Sequence, residues 1–587
     1  MAKVEKKCLE NAGLLDYTED GTTDLKGRPI TRSKTGRWRA CSFLVGYEIF
    51  ERMANHGISA NLVVYLARKL HEGTVKSSNN VTNWTGTLSL TPILGAYVAD
   101  TYLGRYWTFV SASAIYIMGM SLLTLAVSVP ALRPPSCGPG IKDEDCTLRA
   151  SPFQVGIFYC ALYMIAVGIG GTKPNISTMG ADQFDSFEPK EKHQKLSFFN
   201  WWMFCIAFGN FFSYTFLVYI QDNVGWSLGY GLPTIGLVIS VLVFLVGTPF
   251  YRHKMPSGSP ITRVAQVLAA AVRKWKVNIP NDPRELHDQP SLDEHADKMK
   301  HRIDHTSSLR FLDRAAVKST RPSTPWTLCP VTQVEETKQM MKMIPVLLTT
   351  FIPSIIIAQT HTLFIKQGTT LDASMGPHFK IPPASFGAFV TIFVLVTLAI
   401  YDRYLVPTLR SYTQNPRGIT MLKRMGIGYV VQIVIMVLAC LVEKKRLLVA
   451  RENGIVGKGE KVPLTIFILL PQFALMGVAD AFLEVAKIEF FYDQAPQGMK
   501  SIGTSYYTSS YAVGSFLSSF LLKTVSDMTK RDGHKGWVLD NLNLSHLDYY
   551  YALLAGFVFL NFLLFLVVAK SFAYNVDISE AKIAVEA

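Results

Sequence analysis

Glu48, Glu51 and Arg52 stand close together in Glu48-Ile49-Phe50-Glu51-Arg52, inside an otherwise apolar stretch from Ser42 to Ala67 that is long enough to cross a bilayer. Each ionised side chain near the middle of a membrane helix costs about 2.5–3.5 kcal/mol, so such charges turn toward partners or water rather than lipid. Helical spacing sets Glu48 and Arg52 one turn apart on one face, acid first, the order that an i, i+4 ion pair favours. Glu51 falls on the neighbouring face, free for a second cation or a proton. A carboxylate that can accept a proton, beside a guanidinium that cannot lose one, is chemistry for tying proton uptake to the opening of an ion pair.

Two further apolar stretches carry charge. Gly168-Ile169-Gly170-Gly171-Thr172-Lys173-Pro174-Asn175 places Lys173 among glycines that let helices approach closely and a proline that frees backbone groups. Later come Asp480, Glu484, Lys487 and Glu489, with the first three able to meet along one helix side. A salt bridge from Lys173 to Glu51 or Glu489 that opens and closes with protonation is the simplest gate these residues offer. Static readings stand beside it: Glu48 with Arg52 as a packing pair, Lys173 snorkelling to an interface, and Asp480, Glu484 and Lys487 as a structural polar cluster.

The elements that must hold these residues are membrane helices. Of 587 residues, 49% are hydrophobic and only 17% charged, with mean hydropathy +0.22, which is far more apolar than a soluble chain of this size. Hydrophobic runs of membrane length number about twelve, at 42–67, 81–99, 106–129, 153–178, 196–220, 228–250, 340–366, 381–404, 419–442, 463–492, 499–526 and 546–572. The expected fold is all-α and membrane-embedded, two six-helix bundles. The net charge of +14 does not indicate nucleic acid, because the basic residues cluster in loops. They collect in the N-terminal tail, after the sixth run and between the eighth and ninth, which an even count puts on one side, the cytosol. Lys444, Lys445 and Arg446 form an exception, a basic loop on the other side. The first forty residues are charged and polar, so no cleavable signal peptide is expected and both termini stay cytosolic. Cys137 and Cys146 share an outer loop, as a disulfide or as free thiols, and Asn543-Leu544-Ser545 is a glycosylation sequon in another.

The layout is a cytosolic tail (1–41), a six-helix bundle (42–250), a cytosolic linker (251–339), a second bundle (340–572) and a cytosolic tail (573–587). The linker is rich in Pro, Asp, Arg and Lys and reads mostly as loop. Within it, Ile261 to Val277 spaces apolar and basic residues as an amphipathic helix, lying on the membrane surface or packed on the bundle. Asp100-Thr101-Tyr102-Leu103-Gly104-Arg105 after the second run is echoed by Asp402-Arg403 and Arg417-Gly418 after the eighth, a sign of two related halves with a cavity between them.

Glu48-x-x-Glu51-Arg52, Gly95 to Asp100 running on to Gly104-Arg105, Gly170-Gly171-Thr172-Lys173-Pro174, Asp182-Gln183-Phe184-Asp185, Phe198-Phe199-Asn200-Trp201-Trp202 and Glu489-Phe490-Phe491-Tyr492 follow one another along almost the whole chain. In these motifs the sequence resembles the proton-coupled oligopeptide transporters of the major facilitator superfamily. It is more closely similar to their plant branch, the nitrate and peptide transporter family. The resemblance implies alternating access in a twelve-helix fold, driven by protons and needing no cofactor. It implies proton coupling by Glu48, Glu51, Arg52, Lys173 and Glu489. Gln359, His361, Phe364, Tyr506, Tyr507 and Glu489 are expected to line the substrate cavity.

Bacterial relatives hold a peptide carboxylate with a first-span arginine whose matching position here is Ser59, and the nitrate-contacting histidine of a plant relative is matched by Ile357, with His361 one turn on. Peptide and nitrate are both weakened as substrates, while hormones and other organic anions stay open. Thr108 matches a phosphorylated threonine, which implies a kinase as partner. Beyond protons, substrate, lipid and that kinase, a monomer or weak homodimer is expected. The plasma membrane is the expected location, although Glu10-Asn11-Ala12-Gly13-Leu14-Leu15 fits a sorting pattern for the vacuole. An enzyme is not expected, since the twelve scattered histidines form no catalytic cluster. The alternatives are a proton-independent nitrate facilitator or exporter, and a nutrient receptor that moves nothing.

Overall fold

In hydrocarbon a helix satisfies its own backbone hydrogen bonds, and the apolar stretches fold accordingly. The computed structural model describes residues 17–18, 20–135, 149–185, 188–256, 258–280, 282–287, 303–318, 324–413, 418–456, 460–496, 499–530 and 536–572. Glu10 to Leu15, Cys137, Cys146, Arg417 and the tail 573–587 lie outside them. The first half comprises α1 (Arg37–Arg68), α2 (Thr74–Val98), α3 (Gly104–Ser128), α4 (Pro152–Asp182), α5 (Pro189–Phe212) and α6 (Trp226–Val246). A linker helix, α7 (Pro260–Arg273), precedes the second half. That half runs through α8 (Val331–Lys342), α9 (Ile344–Thr349), α10 (Phe351–Thr360), α11 (Leu363–Thr369), α12 (Gly387–Ile400), α13 (Val406–Thr413), α14 (Met421–Glu452), α15 (Leu470–Gln494), α16 (Lys500–Thr529) and α17 (Leu547–Ser571). Two short parallel strands, β1 (Leu371–Asp372) and β2 (Val462–Thr465), pair beyond the far ends of the second half.

Among the described residues, eight helical stretches are long and apolar enough to span a membrane, and one of them, Thr74–Ser128, is 55 residues long and makes two crossings as α2 and α3. The bent pair Val331–Thr349 and Phe351–Thr369 adds another. The charged α1 and the Ser- and Tyr-rich α16 complete the twelve crossings of two six-helix bundles.

The run at 340–366, expected as one helix, is instead broken at Met343, Thr350 and His361–Thr362 and bent by 48°. Pro345 and Pro353 each fall in the first turn of a new segment, where a missing N–H is tolerated, and Thr362 leaves helical geometry at φ −128°, ψ −94°. Lys444, Lys445 and Arg446 are not a loop either: they lie within α14, and Arg446 is fully buried. Lys444 and Lys445 remain exposed on the helix surface.

The echo between halves takes structural form. A π-turn follows α2 as Ala99-Asp-Thr-Tyr-Leu103, and another follows α12 as Tyr401-Asp-Arg-Tyr-Leu405. Gly104 and Gly418 beyond them both sit at φ +75°, a conformation that strains any residue with a Cβ.

The halves meet along α2 and α16, where Gly86 lets the backbones approach: a Cβ there would stand 3.3 Å from the Ala512 carbonyl. At the end far from the linker, Asp540 caps α2 across the interface, accepting from Thr74 N at 2.7 Å. On the opposite side Tyr219 stacks on Phe379 with centroids 5.6 Å apart, and Ile365, Ala384 and Ala388 of the second half join the core of the first.

The linker, expected mostly as loop, is partly folded. Val267, Ala270 and Ala271 of α7 pack with Leu286, Leu312, Ala315, Ala316, Cys329 and Val334. His305, Asp313 and Glu335 present ligand atoms within 4.8 Å of one another. A cation already occupies the cluster, because the buried Lys338 ammonium lies 2.6 Å from Asp313 and 2.7 Å from Glu335.

The sequon at Asn543 is corrected by its surroundings. Asn543 is 4% exposed, its Oδ1 accepts from Arg446 at 2.6 Å and its Nδ2 donates to the Glu460 carbonyl at 3.1 Å. A buried amide with both ends engaged has no room for a glycan. Asn543→Gln is therefore expected to leave electrophoretic mobility before and after glycosidase treatment unchanged while lowering thermal stability by about 1–3 kcal/mol, the cost of an unsatisfied buried charge partner.

Candidate functional site

Close helix packing in the first half brings its charges together. A Cβ on Gly168 would collide with the Tyr116 backbone, one on Gly170 with Thr91 and one on Gly171 with Ala112, so these glycines seat α4 directly on α2 and α3 and carry Lys173 toward α1. Gly209 of α5 does the same at Arg52, where a Cβ would lie 2.8 Å from Arg52 Cβ and 3.1 Å from the Ile49 carbonyl oxygen. Gly209→Ala is expected to force α1 and α5 apart at the ion pair, at about 1–3 kcal/mol. Substrate uptake should fall further than thermal stability does, and measuring both on one preparation checks this.

Glu48 and Glu51 are both buried. Arg52 Nε donates to Glu48 Oε1 at 2.7 Å, the i, i+4 pair that the spacing predicts. Glu51 lies 3.5 Å from the same nitrogen, and neither of its oxygens has a hydrogen-bond partner. Lys173 lies within electrostatic reach of Glu51, Glu48 and Arg52 without an ion pair among the described residues. Both acids thus pair with Arg52, Glu48 through a hydrogen bond and Glu51 only through the longer ion contact, while Lys173 stays without an ion pair among the described residues. Leaving a buried carboxylate unsatisfied costs about 1–3 kcal/mol or more, so the group demands a proton, a cation or water.

The second half presents its own charges on α15. Lys487 Nζ binds Glu484 at 2.7 Å and lies over the rings of Tyr507 at 5.1 Å and Tyr511 at 4.6 Å. Asp480 Oδ1 is buried without a hydrogen-bond partner among the described residues. The clusters face across the interface: Asp480 is within electrostatic reach of Tyr214 on the first half, Arg52 of Tyr507, and His56 of His361.

The structure thus brings Glu48, Glu51, Arg52 and Lys173 together and turns Glu489 away. Glu489 lies about half a turn around the helix from Asp480, is 46% exposed, and pairs with Arg424 at 3.3 Å, whose guanidinium rests 4.3 Å over Tyr401. Asp480, Glu484 and Lys487 take the facing position instead. His361 occupies the break between α10 and α11, opposite His56.

The remaining expected residues divide. Tyr507 covers Lys487, but Phe364 packs in the second-half core on Phe473 and Tyr551, with centroids 5.7 and 5.6 Å away. Gln359 is buried and donates to the Ile355 carbonyl at 2.9 Å and to Ser518 Oγ at 3.2 Å. Tyr506 lies against Phe491 and reaches the Met340 carbonyl at 3.5 Å. Ser59 and Ile357 are buried. Thr108 is buried as well, beside Gly171 of α4, so a kinase has no access to its hydroxyl without α3 and α4 separating.

His56 and Tyr214 were not singled out by the sequence. His56 Nδ1 is buried without a hydrogen-bond partner among the described residues, and its ring lies 6.0 Å from that of Tyr214. The signal was present for His56, which continues the Glu48, Arg52 face by one more turn.

A profile described as PTR2, the POT family, matches residues 106–538. The chain is similar to "Protein NRT1/ PTR FAMILY 5.2" of Arabidopsis thaliana, 58% identical over 96% of this chain and 97% of the relative, and to "Protein NRT1/ PTR FAMILY 5.3" of the same plant, 57% identical over 96% of each. Its fold is similar to that in the "Crystal structure of auto inhibited POT family peptide transporter", with TM-score 0.65, 20% identity, 92% of this chain and 98% of that one. It is also similar to that in the crystal structure of a POT family transporter in complex with a thioalcohol conjugated peptide, with TM-score 0.61, 12% identity, 95% of this chain and 99% of that one.

Proposed function

This chain belongs to the POT family of membrane transporters, and from that premise we propose that it is a proton-coupled symporter of a small solute carrying at least one anionic group. The observation that supports this most is Glu51, a buried carboxylate 3.5 Å from Arg52 and within electrostatic reach of Lys173, with no hydrogen bond, and Lys173 with no ion pair, among the described residues. With both acids ionised and both bases charged, the cluster is neutral. A proton on Glu51 leaves one positive charge uncompensated, and Lys173 becomes the group that draws an anion. Loss of that proton on the other side restores neutrality and weakens the hold on the anion. Charge balance thereby couples the two cargoes.

The facing set of Asp480, the Glu484–Lys487 pair, Tyr507, His56 and His361 gives the solute polar and aromatic contacts on the other half. In this reading a di- or tripeptide, nitrate or an organic anion such as a plant hormone enters between the halves, and the linker face is cytosolic with inward proton flow. Phe364 and Glu489, packed and turned away respectively, are not in the proposed contact set. The test is uptake into oocytes or proteoliposomes under an imposed pH gradient, with nitrate, dipeptides, abscisic acid and gibberellins as the panel. Accumulation of at least one that collapses with the gradient is the expected result; binding without flux for every member would leave a receptor.

A further inference from the structure

The helix α7 carries two apolar stripes, and the folded linker uses only one. Val267, Ala270 and Ala271 are buried in the linker core. Leu268 and Val272, one turn apart, point outward, and Trp275 lies exposed in the turn just past the end of the helix, with Val272 71% and Trp275 65% exposed. The helix starts beside the ends of two spans. Ser259, Pro260 and Ile261 share one small pocket with Ala96, Tyr97 and Asp100 at the end of α2 and with Ser501, Ile502 and Ser505 at the start of α16. A helix of fourteen residues then reaches about 21 Å from that point.

The segment that carries the outward stripe has charge of one sign. Residues 259–280 contain Arg263, Arg273, Lys274 and Lys276 and no acid. Arg263 is spent on Glu336 at 2.6 Å, and Lys274 turns inward, donating to the Val317 carbonyl at 2.6 Å. Arg273 and Lys276 stay at the surface beside Trp275, Lys276 lying 5.3 Å over its ring, and Arg273 donates to the carbonyl of a second exposed tryptophan, Trp326. Apolar residues, tryptophan and basic residues that form no salt bridge among the described residues, on a segment that starts beside the ends of two spans, are the composition of an interfacial anchor.

We propose that the stripe Leu268, Val272 and Trp275, with Arg273 and Lys276, docks on the anionic headgroup layer of the bilayer that holds this chain. The apolar side chains enter the boundary with the acyl chains, and the two cations meet lipid phosphates and carboxylates. The linker is thereby tied to the membrane surface at one point and to α8 at Lys338.

The test labels Val272→Cys in the full chain with an environment-sensitive fluorophore, subtracts the signal of the identically treated wild-type chain, and compares vesicles of phosphatidylcholine alone with vesicles that also contain phosphatidylserine. Spin-labelled lipid is expected to quench the label, more strongly where phosphatidylserine is present. Arg273→Gln and Lys276→Gln are each expected to lower the docked-to-undocked ratio about fivefold. Because these side chains are exposed, the variants keep the fold, which a monodisperse elution profile checks. Equal iodide quenching in vesicles and detergent would overturn the proposal. So would lipid quenching that ignores phosphatidylserine, or a label shielded from both quenchers, which would mean that protein rather than lipid covers the stripe.

Discussion

Glu51→Gln is expected to abolish proton-driven accumulation while leaving the protein folded. The wild-type carboxylate is buried, without a hydrogen bond, and 3.5 Å from Arg52 Nε. Its amide replacement has nearly the same shape and no charge to desolvate, so thermal stability should hold or rise. What disappears is the group proposed to change charge. One proton per solute across one pH unit supports about tenfold accumulation, since each pH unit corresponds to about 1.4 kcal/mol. In proteoliposomes with such a gradient, the variant should equilibrate the substrate and go no further. A variant that still concentrates a confirmed substrate tenfold would remove Glu51 from the proton pathway. Glu48→Gln makes the useful contrast: it takes away the partner that Arg52 holds at 2.7 Å, so stability should fall along with transport.

The second large effect is one of stability and involves none of the residues of the charged cluster. Arg446 and Glu443 in α14 are both fully buried, joined at 2.6 Å. The guanidinium also donates to Thr370 Oγ1, Asn543 Oδ1 and the Leu542 carbonyl, while Glu443 accepts from Gln367. This network ties α14 to α11 and to the loop that precedes α17. Removing one member strands the other as a bare buried charge, at about 3–5 kcal/mol. Arg446→Ala and Glu443→Ala should each lower the melting temperature strongly in detergent, and Arg446→Met with Glu443→Leu together should cost less than either single change. Equal, additive losses would mean that the pair acts as two separate hydrogen-bonding groups. The same calculation explains why Arg446 breaks no rule of loop charge: it is an interior residue whose counter-charge sits one turn back.

Part of the site was legible because helical periodicity is local. Glu48 and Arg52 were placed as a pair by their spacing alone, and His56 on the same face follows from the same arithmetic. Lys173 was recognisable as a buried base because it sits among glycines in an apolar run. Glu489 shows where this reasoning fails. A charge near the end of a span has the same composition signal whether it faces a cavity or the helix's outer side. The choice between Glu489 and Asp480 depended on which side of α15 faces the first half, and nothing within α15 states that. The same holds for Phe364 and Gln359, apolar or polar in ways that suit a core and a cavity equally well.

The sequence by itself determined that this is a membrane protein of two related six-helix halves, because burying a backbone in lipid leaves helices as the solution and long apolar runs announce them. It also determined the family and the paired charges within one helix, where covalent spacing fixes geometry. Only the tertiary structure decided which buried groups are satisfied and which are left open, since partners come from other segments: Lys338 held by Asp313, Arg446 by Asn543, and Glu51 by no hydrogen bond among the described residues. It also decided that the sequon is sealed, that the seventh span is broken, and that one stripe of the linker helix is buried while the other is bare. Those outcomes depend on close contact between segments distant in the chain, and no local pattern of residues encodes such contact.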